Sequence, residues 1–329
     1  MHVPADAALA KTLFMAGLAA VDPDQAVRRN LESVRAALAS GDFDELVVIG
    51  LGKAAFTMAR AVHEELGDQV TRGVIVTKDE HAEGHQELGP LLVREASHPV
   101  PDARGVAAAR EIVAQLDKAG ERSLVLSLIS GGGSALLCAP AEGITLEEKQ
   151  ATTDLLLRGG ATIGELNAVR KHLSSVKGGR LAERAFPARL VSLIVSDVID
   201  DPLDVIASGP STPDPTRFED ALAALDAHGL RERVPASVRS LLERGAAGEV
   251  DDTPSESGPW FERVENRIVA RNRDAVDAVA DAARGEGFHV VELGCDLSGE
   301  ARELAQKLVT RARETRVRPL CLVGGGEPT

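Results

Sequence analysis

Residues 46–55 read LVVIGLGKAA: four aliphatic residues, two glycines separated by Leu51, then Lys53 and two alanines. Such a run is a buried strand that turns sharply into a helix. The glycines let the backbone turn tightly and approach a ligand, while the helix N-terminus attracts an anion. Working outward, short Val/Ile/Leu-rich runs recur at 74–77, 91–94, 124–129, 190–195, 267–270, 289–293 and 320–323. Between them, 103–118, 146–157, 273–284 and 299–313 carry apolar residues at i, i+3, i+4 and i+7, so they read as covering helices. Strands alternating with helices predict an α/β fold built of βαβ units around a parallel sheet.

The stretch 245–258, rich in Gly, Ala, Asp, Ser and Pro, breaks both periodicities and reads as a connection. Domains at 1–244 and 259–329 follow. A buried-type strand at 320–323 runs into GGGEPT, which suggests that the second domain is incomplete as given.

With 329 residues the chain can build two cores without staples. Its three cysteines, Cys138, Cys295 and Cys321, offer no metal-ligand spacing and fit a reducing cytoplasm. A net charge of -14 opposes binding to nucleic acid, and aromatics at 2% with no tyrosine leave no stacking platform. The early apolar stretch 13–21 is too short to span a bilayer and lacks a basic leader, so it reads as an amphipathic helix. No membrane partner is expected. No GxSxG, HExxH or CxxC motif supports a hydrolase or zinc enzyme.

Several stretches can carry chemistry. The turn at Gly50 and Gly52 is not a Walker A loop, since only Leu51 separates the glycines and Ala54 follows Lys53. It does satisfy GxGxxA, with Asp79 and Glu80 after the second strand as candidate ribose ligands. Lys53 in a first helical turn opposes the dipole and points to a compensating anion. The loop Ser130-Gly131-Gly132-Gly133-Ser134 strips side chains from a strand end, a natural phosphate site. Over 164–177, Leu166, Val169, Leu173 and Val176 mark an apolar face, while Asn167, Arg170, Lys171 and Ser174 form a polar stripe that Lys177 extends. Asp197, Asp200 and Asp201 follow the strand at 190–195, placed to bind Mg²⁺ or accept a proton, and the rigid loop 207–211 comes next. His98 in HPVP reads as structural.

In order, GLGKAA at 50–55, HPVPD at 98–102, SGGGSALL at 130–137, ELNAVRKHLSSVKGGRLA at 165–182, SDVIDDPLDVIASGPSTPD at 196–214 and GGGEPT at 324–329 cover nearly the whole chain. Together they resemble the class II glycerate kinases, whose C-terminal part is named for a MOFRL motif. The resemblance implies a two-domain α/β protein, a larger Rossmann-like parallel-sheet domain and a second, smaller α/β domain, with its active site in the interdomain cleft, acting with ATP and Mg²⁺ or another divalent cation on D-glycerate. It implies that Lys53 and Asp197 are catalytic; Asp197 and Asp201, at the carboxyl end of a strand, are the candidate metal ligands. Nucleotide would meet Gly50, Gly52, the 130–134 loop, Gly325, Gly326 and Glu327. Substrate would meet Asn167, Arg170, Lys171, Lys177 and Ser208, with the stripe open to either glycerate or nucleotide. Asp200 stands where the family usually has glycine. Family members continue past GGGEPT through a segment supplying an active-site arginine. A homodimer is one expected assembly. The rival readings are an NAD(P)H-dependent hydroxypyruvate reductase and a non-catalytic nucleotide-binding fragment.

Overall fold

The computed structural model describes residues 5–328, so Thr329, the last residue of GGGEPT, lies outside the described residues. Seven strands form the main sheet: β1 (Glu45–Leu51), β2 (Val70–Lys78), β3 (Glu87–Leu88), β4 (Leu91–Ala96), β5 (Ser123–Ile129), β6 (Arg189–Val195) and β7 (Val264–Ala270). Their order is β3-β4-β2-β1-β5-β6-β7. The β4-β2-β1-β5-β6 run is parallel, and only the two-residue β3, absent from the sequence reading, is seen to run antiparallel. A second sheet pairs β8 (His289–Glu292) with β9 (Leu320–Val323) in parallel. The predicted strands are all present, most of them longer by a residue or more at an end.

From β1 the chain steps outward through β2 to β4, then returns to β5 on the other side of β1. That reversal is the topological switch point at which open α/β sheets bind ligands, outside the carboxyl ends of the strands. Register puts Gly50 opposite Leu128 and Leu51 opposite Ile129, so β1 and β5 end level. Both strands are buried along nearly their whole length, as continuous aliphatic runs require.

Two compact units are formed. Among the described residues the larger holds Val27–Ile194 and Pro202–Arg267; the smaller holds 5–26, Val195–Asp201 and 268–328. Residues 245–258, read from sequence as a connection, lie inside the larger unit. In that unit the helices Leu146–Arg158, Ile163–His172, Phe218–Ala227 and Ala236–Ala246 share a core that includes Leu156, Leu166, Val169, Phe218, Leu225 and Leu242. In the smaller unit the helix Ala5–Ala20 packs on Asn272–Gly285 so closely at Gly17 that an added Cβ would stand 2.6 Å from Val279 and 3.1 Å from the Ala275 carbonyl. No helix among the described residues is long and apolar enough to cross a membrane.

One expected helix is shorter than its periodicity suggests. The apolar spacing over 164–177 holds to its end, yet the helix stops at His172. Beyond it Ser175 N donates to Ala139 O and Ala141 N to Leu173 O, while Pro140 and Ser174 form a bridge. Tertiary hydrogen bonds to 139–141 replace the helical ones.

Candidate active site

The first glycine turn is bonded to the second. Gly52 N donates to Val76 O (3.2 Å), Lys53 N to Gly131 O (2.9 Å), Ala54 N to Ser130 Oγ (3.0 Å) and Ala55 N to Gly52 O (3.2 Å). Ser130 N returns a bond to Leu51 O (3.0 Å). These amides are therefore engaged within the protein and are not the free N–H cradle expected from the sequence. Gly52 permits the junction: its φ is +121°, and a Cβ there would run into Ser130. What the turn presents outward is the exposed Lys53 side chain. Its stem crosses the second loop, because a Cβ on Gly132 would lie 3.2 Å from Lys53 Cε and 3.1 Å from His98 Nε2.

In that second loop Gly133 N donates to Ser130 O (3.2 Å), whereas no described residue accepts from Gly131 or Gly132. Ser134 Oγ lies 2.8 Å from Ser208 Oγ, and Ser208 Oγ donates to Asn167 Oδ1 at 3.3 Å. Ser208 and Ala207 have φ of 63° and 52°, left-handed conformations that cost a non-glycine residue on the order of 1–3 kcal/mol each. Such strain is held where the surroundings over-determine it, here beside the chain of hydroxyl and amide groups.

The apolar face of Ile163–His172 is anchored in the helical core through Leu166 and Val169, which leaves the polar stripe to the other side. Its members then diverge. Lys171 is buried with its ammonium 3.1 Å from Asp214 Oδ1 and 3.3 Å from Asp204 Oδ2. Lys177, also buried, reaches in from the turn and donates to Ser134 O (2.7 Å) and Leu137 O (3.2 Å), under the second loop. Burial pushes its ammonium pKa well below the ordinary range. Arg170 is half-buried, and its side chain makes no hydrogen bond or ion pair with a described residue. His172, the last residue of the helix, holds Asp252 through Nε2 (2.8 Å) and packs on Phe218.

Within the smaller unit, Asp197 is exposed just past β6, and Asp200 and Asp201 take left-handed φ of 63° and 54°. These three, with Arg271, Asn272, Arg273, Gly326 and Glu327, line a cavity of about 410 Å³. Arg271 stands 3.7 Å from Asp201. Gly325 lies against Asn272, whose amide donates to Cys295 O (3.1 Å). Among the described residues no three His, Cys, Asp or Glu side chains are placed to hold a metal together. The hard, exposed carboxylates fit Mg²⁺ carried in by phosphates, since that ion keeps several waters and takes one or two protein carboxylates.

The model of a family described as "Domain of unknown function (DUF4147)" matches residues 9–243. A glycerate 2-kinase of Pyrococcus horikoshii is 44% identical over 292 residues, covering 87% of this chain and 64% of its own. A putative hydroxypyruvate reductase of Agrobacterium vitis is 40% identical over 330 residues, 97% of this chain and 70% of its own. The crystal structure of glycerate kinase from Thermotoga maritima superimposes with a TM-score of 0.84 at 38% identity, covering 98% of this chain and 74% of that one. The chain belongs to the class II glycerate kinases. It spans just under two thirds of the Pyrococcus glycerate 2-kinase.

For a glycerate kinase, the sequence reading named the residues around the second loop but missed what supports them. Asp204 and Asp214 were quoted inside a motif without a role, and the two are the partners of Lys171. Lys149 passed as an ordinary charged position of a covering helix, although it is buried. Arg271 had no signal at all. The signal that could have found Asp204 and Asp214 is their place as acids in the same long motif as Ser208.

Proposed function

We propose that this glycerate kinase transfers the γ-phosphoryl group of ATP to the 2-hydroxyl of D-glycerate, giving 2-phosphoglycerate and ADP. The observation that carries the reading is the bonding of the two glycine turns at the switch point, which lays the Lys53 stem across Gly132. Phosphoryl transfer draws most of its acceleration from positioning and from neutralising charge on the transferred group. Lys53 supplies a fixed positive charge for that purpose, with the unengaged amides of Gly131 and Gly132 beside it. Ser134, held through buried Ser208 and Asn167, offers its half-buried hydroxyl to orient those of the substrate. In the smaller unit Asp197 carries the divalent cation or takes the proton of the 2-hydroxyl, and Asp201 supports it. When bound, the cation neutralises phosphate charge.

A nicotinamide-dependent reductase has less support. Asp79, the acid expected to hold a ribose, is engaged by the two terminal Arg104 nitrogens at 2.6 and 2.9 Å, which holds its carboxyl below the usual range. Glycerate-dependent ADP release, set against hydroxypyruvate-dependent oxidation of NAD(P)H, separates the two. Lys53→Ala is expected to lower kinase turnover by about 10²–10³-fold, the effect of losing one preorganised charge-stabilising group. Turnover retained in that variant overturns the assignment of Lys53. Product analysis showing 3-phosphoglycerate overturns the regiochemistry.

A further inference from the structure

Lys149 is buried in the helix Leu146–Arg158, and its ammonium donates to Arg170 O (3.1 Å) and Leu173 O (2.7 Å). Those carbonyls end the helix that carries Arg170. Lys177 caps the carbonyls of Ser134 and Leu137 in the same manner. Among the described residues none of Lys149, Lys177 and Arg170 has a carboxylate partner, although the neighbouring Lys171 has two. Carbonyl dipoles satisfy the lysine protons but leave the charge of the group uncancelled, and uncancelled buried charge is costly. Burial foremost, with Arg170 adding repulsion, holds Lys149 at about 7. Burial, then Arg170 and Lys149, push Lys177 well below its usual range. The Cys138 thiol is the other titratable group that bears on both, and it acts in the opposite sense.

We propose that Arg170, backed by Lys149 and Lys177, is an oxyanion receptor whose ligand supplies the missing negative charge, so that anion binding is coupled to proton uptake by the buried lysines. Lys149 is thereby a positioning residue: it holds the turn from which Arg170 extends, and it tunes the charge there. The existence of the receptor follows from the unpaired cations; naming its ligand as the glycerate carboxylate or an ATP phosphate rests on the kinase reading. The proton comes from solvent and ends on a lysine Nζ. A negative charge at Arg170 raises the proton affinity of that amine, so the complex binds more protons than the free protein. Affinity is therefore highest below the free-state lysine pKa and falls as pH rises through it, by at most about tenfold per pH unit for one linked proton.

Titration calorimetry of the full chain, in two buffers of different ionisation enthalpy between pH 7 and 8.5, tests this with D-glycerate, ATP and sulfate as separate probes. D-glycerate and sulfate keep a fixed charge over that range, so any proton taken up with them goes to the protein. The expected result is uptake accompanying at least one probe, with affinity falling about three- to tenfold per pH unit. Arg170→Gln should weaken that probe at least about tenfold and abolish the uptake, as loss of a charge-assisted contact implies. Lys149→Met should retain binding with a flatter pH profile; if it does not fold, the wild-type and Arg170→Gln titrations decide. Uptake with D-glycerate alone assigns the receptor to the carboxylate, and with ATP alone to phosphate. Uptake with sulfate in a protein that releases no ADP upholds the receptor while the kinase reading fails. Binding without uptake, uptake that persists in Arg170→Gln, or no binding by any probe overturns the proposal.

Discussion

In the larger unit β1 and β5 are buried almost throughout, and even charged side chains are taken inside: Lys149, Lys171 and Lys177 are all buried. In the smaller unit the helix Ala301–Glu314 buries none of its residues, the buried apolar cluster is Val276, Ala280 and Val323, and the carboxylates of Asp197 and Glu327 are exposed. The larger unit thus surrounds its cations with a dense aliphatic interior, where each charge depends on the partner opposite. The smaller unit keeps its charges in water, where a partner matters little. A charged side chain is therefore worth very different amounts in the two places.

Removing a buried partner should produce the largest effect. Lys171→Ala leaves Asp214, whose side chain has no solvent exposure, without its cation, and is expected to cost about 3–5 kcal/mol in denaturant unfolding. The double variant Lys171→Met with Asp214→Leu should recover much of that loss, because an apolar pair of similar volume avoids the desolvation cost. If the single variant costs under about 1 kcal/mol, the buried charges do not differ from surface ones and the contrast fails.

A middle-sized effect should appear where the smaller unit packs most tightly. Gly17→Val forces two helices apart against Val279 and the Ala275 carbonyl, and overpacking of this kind costs about 1–3 kcal/mol. Hydrogen-exchange mass spectrometry should show lost protection in peptides from Asn272–Gly285 and unchanged protection in β1. Equal loss in both would mean that the two regions do not differ in the way argued. The smallest effect belongs to Val309, half exposed on Ala301–Glu314. Val309→Ser should shift stability by less than about 0.5 kcal/mol, and a larger loss in a thermal melt would reveal a partner for that face.

Much of the fold was legible because its parallel strands are buried on both faces and so read as unbroken aliphatic runs, of which LVVI at 46–49 is the plainest. The two glycine loops were legible as well, since turns of that tightness need residues without a Cβ. Their joint was not: Lys53 N reaches Gly131 O across 78 positions of sequence, and local pattern carries no record of such a bond. The stripe over 164–177 shows the same limit, because spacing could not tell that Lys171 pairs inward with Asp204 and Asp214 while Arg170 pairs with no described residue.

By itself, then, the sequence determined the alternation of strand and helix, the position of the glycine turns and, through its ordered motifs, membership of a kinase family. All of these depend on periodicity or on residue identity at short range. Tertiary structure alone decided that the amides of the first turn are engaged, that the helix ends at His172, and which lysines lose their counter-charge. Those properties arise when segments distant in the chain compete for the same hydrogen bonds and exclude water from the same charges, a competition settled only by packing.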